Sequence, residues 1–180
     1  MSLKKQPDQP GKNNHYETER LIIRPMSPED KEFIYELYNS PKFIKYIGDR
    51  GIRTVSDAEE YIRSRFLPQL ERLGFGNYLI ITKDGSHKIG GVGIFEREGL
   101  DVVDIGFSLL EAYEGKGYAY EAARKVKSIG MDEFGLRKLS AITTKDNFSS
   151  QKLIEKLGLR FKKFVTLPDD NEKLMYYETE

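Results

Sequence analysis

The stretch Ser108-Leu109-Leu110-Glu111-Ala112-Tyr113-Glu114-Gly115-Lys116-Gly117-Tyr118-Ala119 does most to limit what this chain can become. Before it, Val102 to Leu109 reads as a strand. After it, Gly117 to Phe134 repeats small residues at helical spacing: Ala119, Ala122, Ala123, Val126 and Gly130. A strand that passes into a helix through two glycines turns tightly and gathers several backbone N–H groups at one point. The positive end of the helix and the ammonium of Lys116 would then welcome an anion. The plain alternative is a tight turn before an ordinary helix. Two common phosphate loops do not fit. A Walker A loop needs GxxxxGK followed by Ser or Thr, and no such string occurs. A dinucleotide fingerprint needs a small residue three after its second glycine, where this chain has Tyr120.

The surrounding pattern predicts a mixed α/β sheet in one domain, residues 16–180, with the order βααβββαβαββ. Met1 to about His15 is polar and expected to be a disordered tail, residues 1–15, whose first residues read as an expression scar. Arg20 to Arg24 is a strand stopped by Pro25, and Ser27-Pro28-Glu29-Asp30 opens a helix with Phe33, Ile34 and Leu37 on its apolar face. Asn39 to Thr54 reads as a loop. Ser56 and Glu59 make a capping box for a second helix, with a stripe of Ile62, Phe66, Leu70 and Leu73 that Pro68 should kink or split. Tyr78 to Ile81 and Ile89 to Phe95 flank Asp84-Gly85, a hairpin turn. Leu139 to Thr143 is a strand, Phe148 to Leu157 a helix closed by Gly158, and Leu159 to Val165 and Leu174 to Tyr177 are the last strands.

Composition excludes several chemistries. Lys plus Arg number 29 and Asp plus Glu number 29, so zero net charge argues against a long nucleic-acid footprint. No apolar run is long enough to span a bilayer, and no signal-peptide core is visible, so a cytoplasmic protein without membrane contact is expected. With no cysteine there is no disulfide, thiolate metal site or cysteine nucleophile. His15 and His87 are the only imidazoles and lack metal-ligand spacing, so neither a zinc enzyme nor a Ser-His-Asp enzyme is expected. No metal is called for.

The loop resembles the cofactor loop of the GNAT superfamily of N-acyltransferases, Gln/Arg-x-x-Gly-x-Gly/Ala. Here it runs Glu114-x-x-Gly117-x-Ala119, matching at the last two positions and not the first. The string Gly115-Lys116-Gly117-Tyr118-Ala119 with Glu121-Ala122 is similar to the branch that acetylates ribosomal-protein N-termini (RimJ/RimL type). So are Thr18-Glu19-Arg20-Leu21-Ile22-Ile23-Arg24-Pro25 and Asn147-x-x-Ser150-x-x-Leu153-x-Glu155-Lys156-Leu157-Gly158-Leu159. The resemblance spans about Tyr16 to Glu180. It implies acetyl-CoA as co-substrate and a primary amine as acceptor, either a protein N-terminal α-amine or a small molecule. It also implies a GNAT-type, mostly antiparallel sheet flanked by helices, in a monomer or homodimer. By resemblance, the N–H groups of Gly115, Lys116, Gly117, Tyr118 and Ala119 hold the CoA diphosphate. Leu109 and Leu110 make backbone contacts to the pantetheine arm, and Asn147 contacts that arm too. Glu114 is expected to turn its carboxylate outward.

Amine attack on a thioester needs a neutral amine, an oxyanion donor and a proton for the leaving thiolate. A backbone N–H near Leu109 is the expected oxyanion donor. Many relatives use a Tyr to protonate the thiolate, and Ile154 stands in its place. In the ribosomal branch the motif Ser takes that role, which nominates Ser150, on the helix face of Leu153, Ile154 and Leu157. A serine bonded back to its own helix is the alternative, and Asn147 is also a natural helix cap. Relatives often place a Glu on the strand that here reads Leu139-Ser140-Ala141-Ile142, which has no acid. Asp104 is the candidate base, with an ordinary strand-edge acid as the alternative. Phe43 and Tyr46 should wall the acceptor groove, facing the acidic turn Pro168-Asp169-Asp170-Asn171-Glu172 or leaving that turn merely solvated. The competing function is a non-catalytic acyl-CoA-binding or sensor module.

Overall fold

The computed structural model describes residues 15–180; the expected tail lies outside the described residues apart from His15. Eight strands form one sheet: β1 Tyr16–Glu17, β2 Leu21–Pro25, β3 Asn77–Thr82, β4 Lys88–Phe95, β5 Asp104–Leu109, β6 Ser140–Thr143, β7 Leu159–Val165 and β8 Leu174–Thr179. Their order is β1-β2-β3-β4-β5-β6-β8-β7, and every neighbouring pair is antiparallel except β5 with β6. The helices are α1 Lys31–Tyr38, α2 Pro41–Tyr46, α3 Val55–Tyr61, α4 Leu67–Leu73, α5 Tyr118–Asp132 and α6 Phe148–Lys156.

Side chains that alternate across the strands feed two cores, one on each face of the sheet. Tyr78, Ile80, Val92, Ile94 and Ile105 pack with Ala122, Ala123, Val126 and Ile129 of α5, Ile154 of α6 and Leu157 at its C-terminal cap. Leu79 turns to the opposite face, where Phe33, Ile34 and Leu37 of α1 meet Phe43, Ala58, Ile62 and Phe66. Burial on both faces explains why Tyr78 to Ile81 of β3 run apolar without a break, since each successive side chain enters one core or the other. The small stripe of α5 lets that helix lie close on β4: a Cβ on Gly130 would sit 2.6 Å from the Ile94 side chain.

The hairpin, the central helix and the C-terminal strands lie where the spacing predicts. Two local readings change and a third holds. The 39–54 loop contains α2, with Ser40 before it and Pro41 in its first turn; six residues are too few to show a helical stripe. The second helix is capped by Thr54 and Asp57 rather than Ser56 and Glu59. Thr54 Oγ1 accepts from Asp57 N–H and Asp57 Oδ2 accepts from Thr54 N–H, both at 3.0 Å. Glu59 is instead taken by Lys31 at 2.8 Å and Arg63 at 2.8 Å. Finally, the Pro68 helix does split. A π-helical turn over Ile62–Phe66 bonds Leu67 N–H to Ile62 O, and Pro68 falls in the first turn of α4, where its missing donor is not needed.

Asp30 fastens the first helical segment to the sheet. Its carboxylate, with no exposed side-chain surface, accepts from Arg24 of β2 at 2.7 and 2.9 Å and Lys88 of β4 at 2.8 Å. It also closes a capping box onto Ser27 N–H at 2.9 Å. Burial alone would raise this carboxyl, but the bonds from Arg24, Lys88 and Ser27 outweigh it and lower it from 3.8 to about 2. A depressed carboxyl stabilises the fold above its unfolded pKa, and the contribution is lost as pH falls toward the folded value. The difference corresponds to about 2 kcal/mol. Asp30→Asn is therefore expected to lower the unfolding free energy by about 2 kcal/mol at pH 7. Urea melts across pH should show the gap closing between about pH 4 and pH 2; a gap that persists at pH 2 would assign it to packing.

Candidate active site

β5 and β6 share a single aligned pair, Asp104 with Ser140, reinforced by Ser140 N–H to Val103 O at 2.9 Å. Beyond it the two parallel strands part and leave a wedge that opens toward Leu109 and Thr143. Pairing with β4 decides which backbone groups face the wedge. Leu110 N–H donates to Ile89 O at 2.8 Å, and antiparallel ladders alternate, so the groups of Phe107 and Leu109 turn toward β6. Leu110 also accepts from Tyr113 N–H at 3.0 Å. Of the two leucines nominated for backbone contacts, Leu109 alone keeps its backbone groups on the wedge side; the pairing of Leu110 was not visible before the register was known. The Leu110 side chain packs on the core beneath α1–α4.

At the mouth of the wedge a 3-10 turn, Glu111–Tyr113, leads into Gly115 (φ 72°) and Gly117 (φ 83°), and α5 begins at Tyr118. Both glycines hold left-handed backbone that a side chain rarely adopts. The N–H groups of residues 115–117 have no backbone partner among the described residues, and the first N–H groups of α5 have none within the helix. A Cβ on Gly115 would meet nothing within 4 Å, so the cradle is open where an anion would lie. These residues suit the diphosphate of CoA: unpaired N–H groups, a helix N-terminus and Lys116, which is exposed with its ammonium 5.8 Å from the Tyr113 ring. Glu114 is held by Lys42 of α2, which also lies 3.8 Å from Glu111.

On the far side of the wedge, β6 leads to α6. Asn147 Oδ1 accepts from Ser150 N–H at 3.3 Å, so the cap reading of Asn147 holds. Ser150 is half-buried on the first turn, and its hydroxyl has no protein partner among the described residues. That removes the reading in which it bonds back to its own helix. Ile154 is buried in the core, 1% exposed. Asp104, at the closed end of the wedge, is 1% exposed and accepts from Arg97 Nε at 3.2 and 3.3 Å. It is therefore a buried, paired carboxylate and not a strand-edge acid. Burial pushes it above the usual carboxylate range, while Arg97 opposes the rise.

Asp104, Gly106 and Ser108 share the face of β5 turned away from α5. Phe95 lies across this floor: a Cβ on Gly93 would come within 2.6 Å of its ring, and one on Gly106 within 3.0 Å. Phe43 does not wall the groove, because it is buried and stacked on Tyr38 at 4.1 Å. Tyr46 stays half-buried, with the Lys45 ammonium 4.8 Å from its ring. The acidic turn is exposed, and Pro168 lies close against Gly99 of the β4–β5 connection. Three residues near the site went unassigned from sequence: Lys42, Arg97 and Arg20, the last bonded to Glu121 and to the Lys116 carbonyl. A lone acid beside an anion loop, as at Glu114, was the one signal that a cation must stand nearby. Among the described residues, no three His, Cys, Asp or Glu side chains gather as a metal site needs, and no helix is long and apolar enough to cross a membrane.

Comparison with known proteins agrees with this geometry. The profile of the acetyltransferase (GNAT) domain matches residues 20–160. The chain is 29% identical over 162 residues to the uncharacterized N-acetyltransferase YnaD of Bacillus subtilis, covering 88% of this chain and 91% of that one. An acetyltransferase from Agrobacterium tumefaciens has the same fold, with TM-score 0.79, 22% identity and coverage of 93% and 94% of the two chains. The ribosomal-protein-S5-alanine acetyltransferase of Vibrio fischeri superposes with TM-score 0.77 at 17% identity, covering 93% and 96%. A splayed pair of strands, a glycine loop at a helix N-terminus and a matching domain profile together place the chain in the GNAT acetyltransferase family, as an acetyl-CoA-dependent N-acetyltransferase that acts on an amine.

Proposed function

We propose that the acceptor is an α-amine, foremost that of a protein N-terminus, and that it attacks the acetyl thioester directly inside the wedge between β5 and β6. The observation that carries this reading is the state of Asp104. It is the only carboxylate on either wedge strand among the described residues, and it is buried at the closed end on Arg97. A site so poor in free base suits an amine that is already partly neutral. With reference pKa values of about 7.7 and 10.4, about one α-amine in six is neutral at pH 7 against about one lysine in 2,500. Deprotonating lysine costs about 3.7 kcal/mol more. The ribosomal type of acceptor is supported by the Gly115–Ala119, Thr18–Pro25 and Asn147–Leu159 strings, and by a fold shared with the S5-alanine enzyme.

In this reading the N–H groups of Gly115, Lys116, Gly117, Tyr118 and Ala119 bind the diphosphate. Leu109 offers its N–H to the developing oxyanion, where a fixed donor favours charge without rearrangement. Asn147 fixes the start of α6 and so the place of Ser150, whose free hydroxyl donates to the leaving thiolate. Asp104 supports removal of the amine proton through water and does not dominate the rate. The leaving thiol needs only modest help, since a thiol of pKa about 8.5 is not a strong base.

Two measurements test this. With a panel of amines at pH 7, followed by release of free thiol, kcat/KM is expected to be at least tenfold higher for a peptide with a free N-terminus than for the same peptide blocked and carrying one lysine. The reverse order would overturn the α-amine reading. Among variants, Ser150→Ala is expected to lose about 10²-fold in kcat, the lower end of general-acid assistance, with little change in CoA affinity. Asp104→Asn should lose less, and full kcat in a folded Ser150→Ala would leave water to protonate the thiolate. Gly117→Val forces a β-branched residue into left-handed backbone and should weaken CoA binding at least tenfold by calorimetry; unchanged affinity in a folded variant would remove the loop from the site.

A further inference from the structure

Thr18 and Arg20 precede β2, about a hundred residues before the diphosphate loop, yet they close on it from outside. Thr18 Oγ1 donates to Glu121 Oε1 at 2.6 Å, and Arg20 N–H donates to the same oxygen at 2.9 Å. Arg20 Nε donates to Glu121 Oε2 at 2.7 Å, and Arg20 Nη1 to the Lys116 carbonyl at 2.9 Å. The guanidinium carbon stands 4.4 Å from the Tyr118 ring centre, and a Cβ on Gly117 would lie 3.3 Å from Arg20 Nη2. One side chain thus touches residues 116, 117, 118 and 121, the whole turn from loop to helix.

Peptide geometry gives this contact a consequence. In a trans peptide the carbonyl of residue 116 and the N–H of residue 117 point in opposite directions. Holding the Lys116 carbonyl outward against Arg20 therefore turns the Gly117 N–H inward, toward the anion cradle. Glycines at 115 and 117 leave that peptide plane with little constraint of its own, so an external clamp decides its orientation. Glu121 matters for a second reason. A carboxylate in the first turn of α5 would compete with a diphosphate for the positive helix end. Here both its oxygens are taken and its charge is matched by Arg20.

We propose that Arg20 is a positioning residue for donor binding, orienting the 116–117 peptide and neutralising Glu121 so that the loop accepts a diphosphate. This rests on the reading that the loop binds the CoA diphosphate. Burial would raise the Glu121 carboxyl, but the bonds from Thr18 and Arg20 hold it below the ordinary glutamate value. The Arg20 side chain is 42% exposed, so its replacement should disturb the fold little.

The test compares two donors, acetyl-CoA and S-acetylpantetheine, which lacks the diphosphate. For Arg20→Met we expect the KM for acetyl-CoA to rise about tenfold, the loss of a charge-assisted contact. The kcat and the acceptor KM should stay within about twofold, and the KM for S-acetylpantetheine should not move. Arg20→Lys keeps the charge but not the forked reach to both Glu121 and the Lys116 carbonyl, so it should recover only part of the loss. An equal loss with both donors would mark a merely structural role and overturn the proposal. An unchanged acetyl-CoA KM in Arg20→Met would overturn it while leaving the loop reading intact. A wild-type enzyme that uses the two donors with equal KM would overturn the loop reading and the proposal together. Should Arg20→Met lose its cooperative thermal transition, Arg20→Gln decides by the same split, since it keeps a short donor for Glu121 but loses the charge and the forked reach to the Lys116 carbonyl.

Discussion

Backbone groups in the middle of a sheet must find partners, and between β5 and β6 the ladder ends at the one aligned pair, Asp104 with Ser140, and the bond from Ser140 N–H to Val103 O beside it. Much of the site's architecture follows from this interruption. Two parallel strands that part leave N–H and C=O groups facing an open space, and an extended amide-bearing molecule can complete the ladder as a further strand would. The pantetheine arm of CoA has that character, so on the proposed reading the sheet is incomplete where a co-substrate would supply what the protein withholds. The flanking elements keep the gap from closing. Ser140 pins the narrow end through Val102 and Val103, and α5 and α6 start at the wide end.

The fold was largely legible because its signals are local. The Asp84-Gly85 turn, the unbroken apolar run of β3 and the small stripe of α5 each follow from side-chain spacing. The readings that changed depend on competition or on length. Thr54 and Asp57 compete with Ser56 and Glu59 for one helix start; Thr54 and Asp57 make the box, and Glu59 pairs with Lys31 and Arg63 instead. The helix α2 is too short to show a period, and only Ser40-Pro41 announced it. In the site, the glycine loop was readable because left-handed backbone is so often glycine. The loss of Leu110 was not, because a register in β4 decides it. Asp104 could be picked out from sequence as an acid, but its burial on Arg97 depends on how the β4–β5 connection folds back.

The loop's electrostatics suit the proposed anion site even though the chain has zero net charge. Three carboxylates, Glu111, Glu114 and Glu121, stand around it and would repel a diphosphate if left alone. Lys42 sits against the first two and Arg20 against the third. With those charges matched, the helix end and Lys116 are free to act on a ligand. The positive field is thus produced as much by removing negative charge as by adding positive.

The contact between Lys42 and Glu114 joins two segments far apart in the chain, and it makes the order of sequence change matter. If Glu114 is lost first, Lys42 becomes one more cation beside the proposed anion site, a step that donor binding would tolerate. If Lys42 is lost first, an unmatched carboxylate is left beside the loop proposed to receive the diphosphate, and donor binding would be opposed. On this reading, change at the two positions would pass in one order and be obstructed in the other, so the acid at the edge of the loop would be kept by a lysine in a helix that sequence spacing did not reveal.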